Sequence, residues 1–280
     1  MLNSGTLIVG GLLLPVLAVL LIRGGQWRLP EEAETIGHEP RWSDAALALL
    51  AFAIGGMVVA KAALFTLPHD EHDAADKPGT HAWHTLAWQD YGAKLAGAAV
   101  ALLAWRAASR RAGWPRVAAA TQVGLGALLA IALLPILTMI NLAIIEVLRW
   151  SFPDRPNPSH DFLIALQHSA WGAAGVWQLA IAAVVVAPIA EELFFRGVVL
   201  GAARRTTGGN WPAIVISAVA FGAVHSQNPD TVLPLMLMGV ALGWLRLRTG
   251  GVLGCIVAHA VINARSVALA VLAPELVTST

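Results

Sequence analysis

The feature that most constrains this chain is a run of charge where a membrane helix should pass. Glu191-Glu192-Leu193-Phe194-Phe195-Arg196 lies inside an apolar stretch from about 173 to 203. A charged side chain at the centre of a spanning helix costs roughly 2.5 to 3.5 kcal/mol on insertion scales. Such groups therefore face a bundle interior and mark chemistry or transport.

That reading requires a membrane, and composition supplies one. Apolar residues make up 57% of the chain and charged residues only 12%, with a mean hydropathy of +0.68. Soluble proteins carry about 25% charged residues. The chain is expected to be an all-α, polytopic membrane protein. Its net charge of +1 makes no electrostatic case for a nucleic-acid partner. The single cysteine, Cys255, excludes an internal disulfide. The first segment begins Met1-Leu2-Asn3-Ser4-Gly5, without a basic region, and runs to Arg23 without a small-residue cleavage site, so it reads as a retained helix.

Eight apolar runs approach the length that crosses about 30 Å of hydrocarbon. They cover about 6 to 22, 45 to 67, 92 to 108, 121 to 148, 173 to 203, 211 to 226, 231 to 247 and 251 to 273. Polar punctuation such as Lys77-Pro78-Gly79 and Gly208-Gly209-Asn210 separates them, with no repeat of fixed period. A single membrane domain over 1–280 is the economical reading, with accessory helices in 1–168 and a helical core in 169–273 that carries the site. Basic residues concentrate after the odd-numbered runs, among them Arg23, Arg28 and Arg41, Arg110 and Arg111, Arg204 and Arg205, Arg246 and Arg248. The positive-inside rule then places those loops in the cytoplasm and both termini outside.

Three polar constellations survive inside the apolar runs. In the first, Glu192 and Arg196 are four apart with the acid N-terminal, the better orientation for a pair on one helical face. Glu191 points about 100° away from Glu192 and is left for another task. Pro188 removes a backbone hydrogen bond close by and is expected to kink the helix. The second is Phe221-Gly222-Ala223-Val224-His225, which leads into the polar Ser226-Gln227-Asn228-Pro229-Asp230. In the third, His259 and Asn263 are four apart and share a face, with Cys255 one turn earlier.

Depth tests whether these groups can meet. Glu191 and His225 each lie about 15 residues from the turn between their helices, or roughly 22 Å along the axis. By the same rise His259 lies about 13 Å and Asn263 about 20 Å from the turn at Thr249-Gly250-Gly251. All four converge on one band. Taken singly, His225 could mark an interface and the His259–Asn263 face could be interhelical glue worth about 0.6 kcal/mol. Cys255 reads as a small packing residue, Arg265 faces away from Asn263, and Lys61 snorkels. The stretch His69-Asp70-Glu71-His72-Asp73, with His81 and His84, lacks zinc-site spacing and reads as a solvated loop.

Two histidines, a carboxylate and an amide in a half-dry pocket suit hydrolysis. Desolvation moves a carboxylate toward the range of a general base near neutral pH. Glu191 with His225 can then take a proton from water, while His259 and Asn263 supply donors to an oxyanion. Glu191, His225 and His259 are equally a candidate zinc set with an open position for water. The residues alone leave both mechanisms open.

The order EExxxR, FxxxH, HxxxN, each in its own transmembrane segment, resembles the CAAX prenyl protease and bacteriocin-processing family, also called the Abi or type II CAAX proteases. All three motifs match, between residues 191 and 263. The resemblance implies an intramembrane endopeptidase acting on membrane-associated peptide or protein substrates in a bacterial cell membrane. In it Glu191 and His225 activate water, His259 and Asn263 steady the oxyanion, and Glu192 and Arg196 support the site. No cofactor is certain on that basis, with zinc the candidate. A proton-coupled transporter using the same groups as a relay is the alternative, and it would carry inverted repeats that this sequence lacks.

Overall fold

The structure is a computed structural model and describes residues 29, 38–66, 81–112, 117–152, 161–169 and 172–273. Among these, the regular elements are all helices, as hydrocarbon demands when every backbone group must be satisfied within the segment. They are α1 (Trp42–Thr66), α2 (His81–Ala112), α3 (Ala119–Ser151), α4 (Asp161–Gln167), α5 (Gly172–Thr207), α6 (Asn210–Ala223), α7 (Pro229–Thr249) and α8 (Leu253–Leu272).

Seven of the eight apolar runs correspond to α1, α2, α3, α5, α6, α7 and α8, and the run near 6 to 22 lies outside the described residues. The short α4 falls where the sequence suggested only a connection. Five helices, α1, α3, α5, α7 and α8, are long and apolar enough to cross a membrane. The other two apolar runs fall short of that test for different reasons. At 32 residues α2 has the length, but Asp90, Lys94, Arg106 and Arg110 interrupt its apolar character. At 14 residues, α6 is apolar but short of the roughly 20 needed.

The helix that carries the acids, α5, is the centre of the fold. One face joins Phe195 and Val199 to Phe221 of α6, Met238, Leu242 and Leu245 of α7, Ala258 of α8 and Ala130 of α3. The opposite face joins Ala190, Leu193 and Val198 to Ala45 and Ala48 of α1 and Ala98, Ala101 and Trp105 of α2. Burial between two cores removes Glu192 and Arg196 from both water and lipid.

Pro188 leaves its mark in the hydrogen-bond pattern of α5. Two π-helical stretches, Ala182–Val186 and Leu193–Val199, interrupt α5 on either side of the acids. Pro188 has no N–H to give to Val184, and the turn before it is wider: Ala187 N–H bonds to Ala182 O, five residues back. Past the acids, Leu200 N–H likewise reaches Phe195 O, which also accepts from Ser217 Oγ of α6 at 2.9 Å.

Around this centre, α3 meets α8 closely enough that a Cβ on Gly126 would overlap the carbonyl oxygen of Gly254. Cys255 is buried there, and its thiol donates to Leu242 O at 3.2 Å, which fits the packing role. Two arginines treated above as loop charges are not in loops. Arg204 and Arg246 are buried in the last turns of α5 and α7. Glu39, just before α1, pairs with Arg204, whose Nε also donates to Asn210 Oδ1 at 2.9 Å. Burial pushes the Glu39 carboxyl above its ordinary range, against the pull of the Arg246 charge.

Candidate active site

Glu192 anchors the site. Its Oε1 accepts from Arg196 Nη1 at 3.0 Å, one turn along α5, and both side chains are fully buried. The same oxygen lies 2.9 Å from Nδ1 of His259 on α8. The partner expected from spacing is therefore joined by a second one. A carboxylate buried this deeply persists only when paired and hydrogen-bonded. Here one oxygen holds a guanidinium and an imidazole together.

Glu191 occupies the adjacent face, as a rotation of about 100° per residue requires. Its side chain is 19% exposed where that of Glu192 is 0%, so it is the carboxylate that solvent or a substrate can reach. Its Oε2 stands 3.9 Å from His259 Nε2. That is too long for a direct hydrogen bond, yet close enough for both atoms to bond to one oxygen beside them.

Phe221, the first residue of the second motif, is a hub, a role that the sequence reading did not give it. Its ring is fully buried and stands edge-to-face against His225, at 5.1 Å between centroids, and against His259, at 5.7 Å. The guanidinium of Arg196 sits 4.4 Å from the ring centroid, within range of a cation–π contact. His225 thus joins the group through an aromatic ring. Its Nδ1 lies 2.8 Å from Phe221 O, and because a carbonyl only accepts, Nδ1 carries the hydrogen, which leaves the lone pair of a neutral ring on Nε2.

Asn263 reaches the same helix at another level. Its Nδ2 donates to Ala183 O at 2.8 Å, inside the first π-helical stretch. His259 and Asn263 do share a face, and both bind α5, one at an acid and one at a backbone carbonyl. One of the two amide hydrogens of Asn263 is committed there and the other is not. Arg265 is exposed, away from this group.

A zinc site would need three ligands gathered within about 2 Å of a common point. Among the described residues no three His, Cys, Asp or Glu side chains are grouped in that way. With Nδ1 of His259 engaged by Glu192, Nε2 is the ring nitrogen left for a proton or a metal ion. The loop stretch His69 to Asp73 lies outside the described residues.

The residues of this cluster coincide with a recognisable segment. Residues 173–265, which contain all three motifs, match the family model described as type II CAAX prenyl endopeptidase Rce1-like. The likeness to that family is confined to this segment. A protein of Escherichia coli described as an uncharacterized 24.3 kDa protein is 36% identical over 78 residues, covering 27% of this chain and 36% of that protein. The chain therefore matches little more than a third of that relative's length. No solved structure matches. Together, the Rce1-like segment and five helices fit to span a bilayer identify a multi-pass membrane protein.

Other polar contacts escaped the sequence reading. Asn141 of α3 donates to Asp230 at the start of α7, at 3.1 Å to its carbonyl and 3.3 Å to Oδ2. Tyr91 of α2 donates to Gln178 O of α5. Asp230 could have been noticed as an acid in the first turn of a membrane helix. Tyr91 and Gln178 carry no pattern that would pair them.

Proposed function

We propose that this protein is an intramembrane endopeptidase hydrolysing peptide bonds of membrane-associated substrates, of CAAX or leader-peptide type, in a bacterial cell membrane. The observation that carries the reading is the division of labour between adjacent acids. Glu192 is sealed between Arg196 and His259, and Glu191 beside it is accessible at the mouth of the same group. A structural ion network would have no use for the second, partly exposed carboxylate.

In the mechanism, Glu191 takes a proton from water, with His225 Nε2 as a second acceptor that orients it. The resulting hydroxide attacks the scissile carbonyl. The oxyanion forms on the side of His259 and the uncommitted N–H of Asn263. Donors placed where charge develops are each worth about 10²- to 10³-fold in rate. Water acts directly on this scheme, without a metal ion.

The test is cleavage of a membrane-tethered reporter peptide by the purified protein. Glu191→Gln should abolish cleavage while leaving the thermal stability and helical signal unchanged, because among the described residues its nearest charged partner, His259 Nε2 at 3.9 Å, is beyond direct hydrogen-bond distance. Undiminished cleavage by that variant would remove Glu191 from the mechanism. Proton-coupled substrate uptake into vesicles, without cleavage, would instead favour the relay of a transporter.

A further inference from the structure

Glu192 has no chemical step in the scheme above, although its Oε1 joins two other buried groups of the site, Arg196 and His259. Its Oε1 already accepts a guanidinium N–H from Arg196 when it meets Nδ1 of His259. An oxygen that accepts from a guanidinium is acting as an acceptor, so the hydrogen between it and the ring belongs to Nδ1. In the neutral ring the lone pair is then on Nε2, the nitrogen 3.9 Å from Glu191. His225 has the same arrangement, with Nδ1–H on Phe221 O. Neither neutral imidazole therefore has a proton to offer the substrate. A neutral His259 cannot hold an oxyanion, and it cannot protonate a departing amine.

The attacking water is the source of the missing proton. We propose that Glu192 is a positioning residue acting through His259: it keeps the hydrogen on Nδ1 and Nε2 turned to Glu191, so that Nε2 receives the proton Glu191 takes from water and delivers it to the departing nitrogen. This rests on the peptidase reading. The bond between water oxygen and carbonyl carbon forms as one water proton passes to Glu191 and on to Nε2. The imidazolium so formed lies between two carboxylates, and its Nε2–H faces the oxyanion while the tetrahedral intermediate lasts. The carbon–nitrogen bond breaks as the amine nitrogen takes that proton. Glu191 is again a carboxylate and His259 again neutral, with no other reactant consumed. Arg196 contributes by holding Oε1 in place, so that the imidazole hydrogen has a fixed acceptor.

The experiment combines nitrogen-15 NMR of the histidine rings with steady-state kinetics on the full chain in nanodiscs, the His259 signals being assigned by their loss in His259→Ala. Neutral His259 in the unaltered protein should show hydrogen on Nδ1 and a lone pair on Nε2. In Glu192→Gln the amide oxygen stays on Arg196 and keeps the tautomer, so KM should hold within about twofold while kcat falls about 10- to 100-fold with loss of the charge behind the imidazolium. In Glu192→Leu the tautomer should be lost and kcat should fall about 10³- to 10⁴-fold, the scale seen when an imidazole is held in the wrong tautomer. A purely structural Glu192 would lower the yield of folded protein and leave kcat per folded molecule unchanged, which overturns the proposal. So does hydrogen on Nε2 of neutral His259 in the unaltered protein. If Glu192→Leu does not fold, the native spectrum and Glu192→Gln decide. If the unaltered protein cleaves nothing, the peptidase reading and the delivery step both fail, while the NMR spectrum still reads the positioning by Glu192 separately.

Discussion

Replacing Arg196 by methionine isolates what the buried pair contributes. The guanidinium is fully buried, bonds Glu192 at 3.0 Å and lies 4.4 Å from the Phe221 ring. Its removal leaves Glu192 ionised in the core with only His259 beside it. Orphaning one member of a buried pair costs about 3 to 5 kcal/mol. The lost cation–π contact adds about 1 to 2 kcal/mol. Methionine fills much of the same volume and returns about 2 kcal/mol through apolar burial. The net expectation is a loss of about 3 kcal/mol. Adding Glu192→Gln removes the orphaned charge, so the double variant should recover about 2 kcal/mol of that loss. The coupling energy is that recovery plus whatever Glu192→Gln costs alone, so it should be at least about 2 kcal/mol. The assay is a double-mutant cycle of denaturant unfolding in mixed micelles, read by tryptophan fluorescence. If Arg196→Met is as stable as the unaltered chain, or the double variant is no more stable than Arg196→Met alone, Glu192 is not ionised in the fold. The argument for hydrogen on Nδ1 of His259 would fall with it.

Further predictions concern the other parts of the site and its frame. His225→Ala and His259→Ala should each lose at least about 10²-fold in cleavage rate, whereas His69→Ala and His72→Ala should match the unaltered protein; comparable losses from the loop variants would mean that the site lies elsewhere. Activity should survive dialysis against a strong chelator, and a loss that added zinc restores would replace direct water activation by a metal-bound nucleophile. Gly126→Val should destabilise the fold by about 1 to 3 kcal/mol or more through overpacking against Gly254; an unchanged unfolding midpoint would show that α3 and α8 are not in backbone contact.

What was legible in the sequence follows from local geometry. The spacing of four between Glu192 and Arg196 and the rotation that separates Glu191 depend only on helical repeat, and both describe the structure. Depth along the helices served less well: it set Asn263 rather than His259 level with Glu191, whereas His259 meets the acids and Asn263 binds Ala183 O. Contacts across long separations had no such rule. Glu39 lies outside every apolar run and 165 positions from Arg204, so its pairing there, like the burial of Arg246, left no periodic mark. The π-helical turns were hidden for a different reason, since Pro188 announces a missing hydrogen bond without saying how the backbone replaces it.

The least legible level is that of single atoms, and it is the one on which the chemistry depends. Motif spacing places a histidine beside a pair of glutamates, and an oxyanion donor is then a natural role for it. The role changes once one oxygen of Glu192 is found to hold both Arg196 and Nδ1 of His259. A donor already occupied on Nδ1 must acquire its second proton before it can act at Nε2, and the accessible acid 3.9 Å away is placed to provide it. The adjacent glutamates thus serve opposite ends of one imidazole: Glu192 fixes the hydrogen that stays, and Glu191 supplies the one that moves.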